Sequence, residues 1–405
     1  MDAPADDELA TTRAAPVAWD LSPRWQRFFR GLAAVVGGLM TFGIFLLFLG
    51  LGSQRELGFP FVILGMLVPG LLCVLILHEG GHWLAARLAG MKTVLIGLGW
   101  LEFQLRRRGA RLRWRKRPRG IGGYVIAHPD PKRDLRRSMM QLALGGPLMN
   151  LLAAAICGLI AIWLERSNAQ AFWMLWALLH LSAGLLNLMP SMIGVFATDG
   201  LTWLRAWRNR SDTLPGATFT ALHGQIVHGE SFADFPAELL QRLAEEPEPM
   251  PLLHDWLLCQ SALQRRDLDE AMRLSARIRA CFDAYDASMK AELADLLVLS
   301  WAEQLYTHAW AERDPSLIET ADLSSRTFWY APHLIPRLRA LAAALRGDRD
   351  GARLLLAVSR RYAEGAIESS LPAYEARLRG EIEALIDGLS TGSSSEHTTT
   401  MRVPA

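Results

Sequence analysis

Four stretches of this 405-residue chain, 31–52, 59–77, 138–164 and 167–198, contain no Asp, Glu, Lys or Arg. That limits the folds open to the first half. A bilayer core about 30 Å thick is crossed by about 20 helical residues at 1.5 Å each, so the pattern predicts four membrane spans at 31–52, 59–88, 138–164 and 171–193. Arg24, Arg27 and Arg30 precede the first. Its length, and the lack of a small-x-small cleavage site, favour a retained anchor over a signal peptide. Beyond about residue 210 the chain changes character: Arg, Glu, Asp, Ala and Leu alternate as in a soluble helical protein.

The formal net charge of +2 is uninformative as a sum, but its distribution orients the spans. Residues 106–137 hold thirteen Lys or Arg against Asp130 and Asp134, whereas the short connections 53–58 and 165–170 hold one arginine each. The excess of basic residues belongs on the inner side. Both termini and the basic loop are therefore expected in the cytoplasm, with the chain multi-pass in the cell (inner) membrane. Beside two spans, topology and the anionic lipid bilayer account for the basic run, and no nucleic acid is expected as a partner. Cys73, Cys157, Cys259 and Cys281 show no CxxC spacing and read as free thiols.

The second apolar run ends in His78-Glu79-Gly-Gly-His82, an HExxH pattern. On a helix, imidazoles four residues apart share a face and can hold one metal ion, while the neighbouring glutamate can hold a water. Ionisable groups at membrane depth rarely persist without a functional partner. A third ligand must come from the same membrane face, which excludes Glu56 and Glu165 and leaves Asp199, Glu102, Asp130 and Asp134. Asp199 follows a helix-breaking proline in Asn187-Leu-Met-Pro190; its alternative role is to cap a helix over 201–207. In Gly145-Gly-Pro-Leu-Met-Asn150 the glycines read as helix packing, and Asn150 as a residue able to line the site. His180 reads as a hydrogen-bonded packing residue outside it. Between 91 and 126, alternation and a glycine pair predict a small sheet or hairpin.

The motifs HEGGH at 78–82, GGYV at 122–125, GPLMN at 146–150 and NLMP…TDG at 187–200 resemble, in order, those of the site-2 proteases, membrane-embedded zinc metallopeptidases of the M50 type. The resemblance implies one Zn2+ per chain held by His78, His82 and Asp199, with Glu79 activating a water. It implies that Asn187 contacts the substrate backbone, and that the strand carrying Gly122, Gly123 and Tyr124 holds an unwound substrate by strand addition. The chain departs from the family in its spacer: eight residues, 191–198, separate Pro190 from Asp199, more than the family commonly has, and Thr198 precedes the Asp-Gly pair. No PDZ-like insertion lies between the spans.

The expected organisation is a disordered tail (1–22), a membrane-embedded metalloprotease domain (23–208), a linker with short helices (209–251), an all-α cytoplasmic domain of helical hairpins (252–389) and a disordered tail (390–405). Amphipathic periods place helices at 252–265, 268–282, 287–311, 335–345 and 352–363. Arg265-Arg-Asp-Leu-Asp-Glu-Ala271 recurs as Arg346-Gly-Asp-Arg-Asp-Gly-Ala352, a weak resemblance to tetratricopeptide hairpins without a strict period. Such a domain offers a groove for a cytoplasmic protein partner. The function expected is hydrolysis of a peptide bond in or near a transmembrane segment of a membrane protein. A membrane-anchored adaptor with inactive spans is the alternative; a zinc transporter would need ligands spread along a passage.

Overall fold

The computed structural model describes residues 22–52, 59–114, 122–164, 168–193, 196–208, 216–321, 323 and 325–393. The expected tail 1–22, apart from Ser22, therefore lies outside the described residues, as do 209–215 and 394–405.

Four helices, α1 (Pro23–Gly52), α2 (Phe59–Leu88), α3 (Leu135–Trp163) and α4 (Asn168–Leu188), are long and apolar enough to cross a membrane. Phe42, Leu72, Leu152 and Ile162 point outward from them, a defect in water and the ordinary arrangement in lipid. α2 and α3 approach closely where both helices carry glycine. A Cβ on Gly81 would fall 2.7 Å from that of Met149 and onto the Gly145 backbone, and one on Gly145 would fall 2.6 Å from that of Ala85. Small residues allow this approach, and it brings the HExxH face of α2 against α3.

α2 ends in a left-handed turn. Gly90 sits at φ +76° and Met91 N–H donates to Ala86 O at 2.9 Å, the Schellman pattern that turns the chain into the sheet. The sheet has four antiparallel strands, β1 (Lys92–Leu98), β2 (Leu101–Leu105), β3 (Ala110–Trp114) and β4 (Gly123–His128), in the order β3-β2-β1-β4. Its alternation is amphipathic: Glu102 opposes Arg113 and Gln104 opposes Arg111 on one face, while Phe103 opposes Leu112 on the other. β4 is an edge strand, and it lies against α2.

α4 stops at Leu188, five residues short of the expected 193. Pro190 offers no N–H to continue the helix. The chain forms instead a small hairpin, β5 (Met192–Ile193) paired with β6 (Phe196–Ala197), and then α5 (Asp199–Trp207). The far end of α5 is held by Arg136, in the first turn of α3, which donates to Ala206 O at 2.7 Å and Trp207 O at 2.5 Å. A cation on the last carbonyls of a helix is favourable for both the hydrogen bonds and the dipole.

The chain divides into two compact units, 1–224 and 225–405. The division falls inside α6 (Ala217–His228), within the segment expected to be a linker; 232–234 and Ala237–Glu245 there are helical as well. In the second unit the five expected helices are present as Met250–Arg265, Leu268–Ala284, Ala287–Glu312, Leu334–Leu345 and Arg349–Glu364. The recurring aspartates cap them: Asp267 accepts from Glu270 N–H at 3.1 Å and Asp348 from Gly351 N–H at 3.0 Å. The last helix, Leu371–Ser393, runs into the stretch expected to be a disordered tail from 390.

The core of this unit contains a charge. Arg337 is fully buried, with Nη2 2.5 Å from Glu303 Oε1, Nε 3.3 Å from Glu375 Oε2, and its guanidinium 4.4 Å from the Tyr306 ring centroid. It ties together three helices, those carrying Glu303, Arg337 and Glu375. Removing one partner of a buried pair costs about 3–5 kcal/mol, because the other charge is left uncompensated. Arg337→Leu should lower the stability of this unit by about that amount, read as lost hydrogen-exchange protection of helix Leu334–Leu345; native-like protection would contradict the assignment.

Candidate metal centre

His78 and His82 lie one turn apart on α2, with ring centroids 4.8 Å apart and perpendicular planes. Asp199, the first residue of α5, reaches between them. Its Oδ2 is 3.2 Å from His78 Nε2 and 3.4 Å from His82 Nε2, and the two Nε2 atoms are 3.2 Å apart. Ligands about 2.0–2.1 Å from a tetrahedral zinc are separated by about 3.3–3.4 Å, so the three spacings suit the ion. The donor chemistry suits it too. Two imidazoles and a carboxylate are a ligand set that zinc takes. Among the described residues this is the cluster of His, Cys, Asp and Glu with metal-binding spacing.

The other carboxylates left open by the sequence are engaged elsewhere. Glu102 is buried in the sheet, accepts from the Tyr124 hydroxyl and pairs with Arg113 at 2.6 Å. Asp130 closes a turn onto Lys132 N–H at 2.9 Å, and Asp134 caps α3 by accepting from Arg137 N–H at 2.9 Å.

Asp199 is free to ligate because its neighbour does the capping. Thr198 is the N-cap of α5: its Oγ1 accepts from Leu201 N–H at 3.4 Å and from Ser191 N–H at 3.1 Å, and donates to Met189 O at 2.7 Å. Thr198 N–H in turn donates to Ser191 O at 3.0 Å. These bonds clamp the base of the β5–β6 hairpin, and Asp199 returns beside the end of α4, where the next residue, Gly200, packs on Leu188 O. The long Pro190-to-Asp199 interval is thus compatible with a third ligand at Asp199.

Each histidine is held from behind. His82, 8% exposed, has Nδ1 2.7 Å from Leu142 O. A carbonyl only accepts, and it is nearer than Gly146 N–H, 3.3 Å from the same nitrogen, so Nδ1 carries the proton and Nε2 presents its lone pair to the metal position. His78 Nδ1 lies 3.1 Å from Asn150 Nδ2, and Asn150 Oδ1 lies 3.0 Å from His180 Nδ1. His180 is hydrogen-bonded, as expected, but its partner Asn150 makes it part of the surroundings of the site and not a residue outside it; its spacing to Asn187 on α4 is the sequence signal for this. Gly146 gives the imidazoles room, since a Cβ there would fall 2.7 Å from His82 Cδ2 and 2.8 Å from His78 Cε1.

Glu79 is 4% exposed, and its Oε2 is buried without a hydrogen-bond partner. A Cβ on Gly123 of β4 would fall 2.7 Å from Glu79 Cγ, so a glycine is needed where the edge strand passes the glutamate. His78, Glu79, His82, Asp199, Asn187, Asn150 and the stretch Gly122–Gly123–Tyr124 all line one cavity of about 400 Å³. Its apolar wall includes Leu71, Val74 and Leu75, the turns of α2 below His78, and Ala183 on α4. Tyr124 projects to the far face of the sheet, where its ring lies over Gly97 and its hydroxyl on Glu102. Asn187 donates to Ala183 O at 3.0 Å.

Residues 66–166 match the family model described as Peptidase family M50, the site-2 protease family. The matched segment contains the HExxH turn, the sheet and the glycine-rich start of α3, and ends before Asn187 and Asp199. The match supports an intramembrane metalloprotease in general. No curated protein and no solved structure gives a match.

Thr198→Val removes the clamp while leaving all three ligand side chains in place. Loss of an N-cap costs about 0.5–2 kcal/mol, so zinc affinity measured by chelator competition should fall about 2- to 30-fold, with Thr198→Ser close to native. Unchanged affinity in the valine variant would show that the hairpin does not position Asp199.

Proposed function

We propose that the chain is an intramembrane zinc endopeptidase that hydrolyses a peptide bond in or near a transmembrane segment of another membrane protein. The observation that carries this reading is the convergence in one cavity of a three-donor metal cluster, a buried glutamate with an unpartnered oxygen, and the edge of a β-strand.

His78, His82 and Asp199 would hold one zinc ion. When bound, zinc polarises the scissile carbonyl and lowers the pKa of a coordinated water toward about 7. The remaining work falls to the chain. A transmembrane helix hides its peptide bonds, so the substrate must unwind, and the edge of β4 offers backbone groups to receive it as an added strand. Gly123 brings that strand past Glu79. Asn187 lies across the cavity, where its amide can contact the substrate backbone beside the scissile bond. Glu79 takes a proton from the attacking water as its oxygen bonds to the carbonyl carbon, and returns it to the amine nitrogen as the C–N bond breaks. The apolar wall beneath His78 excludes bulk water and suits apolar residues flanking the cleaved bond.

The basic loop and both termini are assigned to the cytoplasmic side of the cell membrane, by the excess of arginine in 106–137. The second unit, built of capped helical hairpins, is assigned to binding a cytoplasmic protein partner or a substrate tail. The alternative, an adaptor with inactive spans, keeps the second unit as the working part and is favoured mildly by the long spacer before Asp199; the intact His78, Glu79 and His82 favour the protease, and the β5–β6 hairpin makes the spacer compatible with it. A transporter would need ligands along a passage, whereas these gather at one point.

Glu79→Gln tests the chemistry without disturbing the ligands. The variant should keep one zinc per chain and lose about 10²- to 10⁴-fold of its cleavage rate. The readout is the mass of fragments from single-span test proteins that carry a helix-breaking Asn-Pro pair, reconstituted with the protease. Equal turnover by the variant would rule out Glu79 as the base.

A further inference from the structure

We infer that His180 is a positioning residue, two hydrogen bonds removed from the metal position, that sets the orientation of the Asn150 amide and through it the tautomer of His78. The inference rests on the zinc reading above and deepens it. The chain His78–Asn150–His180 links α2, α3 and α4, with contacts of 3.1 and 3.0 Å, and Asn150 and His180 are 0% and 1% exposed. Among membrane-spanning helices a buried polar group has no water to fall back on, so this chain satisfies itself or pays the full desolvation penalty.

The chain has two self-consistent polarities. In the first, Asn150 Nδ2 donates to His78 Nδ1, and His180 Nδ1–H donates to Asn150 Oδ1. The His78 proton then sits on Nε2, aimed at Asp199 Oδ2 3.2 Å away, and the nitrogen facing the metal position has no free lone pair. In the second, the amide makes a half-turn: His78 Nδ1–H donates to Asn150 Oδ1, and Asn150 Nδ2 donates to His180 Nδ1. Now His78 Nε2 carries a lone pair and can ligate. Passing from one to the other changes no net charge, but it requires the last member to be a donor in one state and an acceptor in the other at the same atom. An imidazole does this by changing tautomer.

His82 is built differently. The Leu142 carbonyl, at 2.7 Å the nearer partner of His82 Nδ1, can only accept, and it outweighs the longer 3.3 Å contact from Gly146 N–H, so His82 is set for the metal by a backbone group that cannot reverse its role. His78 is the ligand that is set by its surroundings, and His180 is what allows both settings. Outer partners of metal-bound histidines commonly affect metal affinity by about 10- to 100-fold.

The test is 15N NMR of the full chain labelled at histidine, in detergent, with and without added zinc, with the His180 signal identified by its loss in His180→Gln. His180 should carry its proton on Nδ1 without metal and on Nε2 with zinc, inverting together with His78. The same His180 tautomer in both states overturns the proposal. Affinity supplies a second readout: His180→Phe should bind zinc about 10- to 100-fold more weakly and shift the visible spectrum of the cobalt-substituted protein. His180→Gln, whose amide can turn to donate or accept, should restore most of both. In an Asn150→Ala background His180→Phe should add nothing beyond about twofold; fully additive losses would mean that His180 acts by packing and would overturn the relay. If the native chain binds no zinc at all, it is the metalloprotease reading that fails, and the relay fails with it.

Discussion

A polar group placed in an apolar span must find its partner inside the protein, because lipid supplies none. The first unit is arranged around that constraint. Two histidines, a glutamate, an asparagine and a third histidine stand on helices otherwise built to face lipid, and the three histidines and the asparagine meet in a single network. Asp199 bridges the two imidazoles, Leu142 O and Asn150 hold them from behind, and His180 completes the chain. Glu79 stands apart from it, with Oε2 buried and unpartnered beside the edge strand. An unpartnered buried acceptor at that place is what the proposed role of Glu79 as the base requires.

The rest of the unit brings these groups to within a few ångströms. Glycines at 81 and 145 let α2 and α3 touch, and Gly146 leaves room for the imidazoles. Arg136 anchors the far end of α5, and Thr198 caps its near end, so the carboxylate of Asp199 is delivered on a short helix fixed at both ends. None of these residues needs to meet the substrate. Their effect is to fix the spacings of 3.2–3.4 Å among the three donors, and a shift of one helix by a single side chain's width would destroy that spacing.

Much of this was legible in the sequence where the signal is local. Uncharged runs announce spans, the i, i+4 spacing of His78 and His82 places both on one face, and Arg111-Leu-Arg-Trp-Arg115 alternates as a strand should. What was not legible depends on distant partners. The uncharged stretch runs on past Pro190, so the span reads as ending at 193; the pairing of 192–193 with 196–197 and the hydrogen bonds from Thr198 back to Met189 and Ser191 make a hairpin there. Asp199 reads equally as a helix cap in the sequence, because nothing local marks Thr198 as the residue that fills that role. Four strands could not be counted from 91–126, because the pairing of β1 with β4 joins segments about thirty residues apart. His180 carries no local mark of its tie to Asn150, thirty residues earlier on another helix.

The central claim is that His78, His82 and Asp199 form one zinc site. Elemental analysis of the detergent-purified chain tests it most directly, with His78→Ala and Asp199→Ala measured beside the native protein. One zinc per native chain, lost in both variants, is the predicted result. A native chain without bound metal, or one whose zinc survives removal of Asp199, would contradict it.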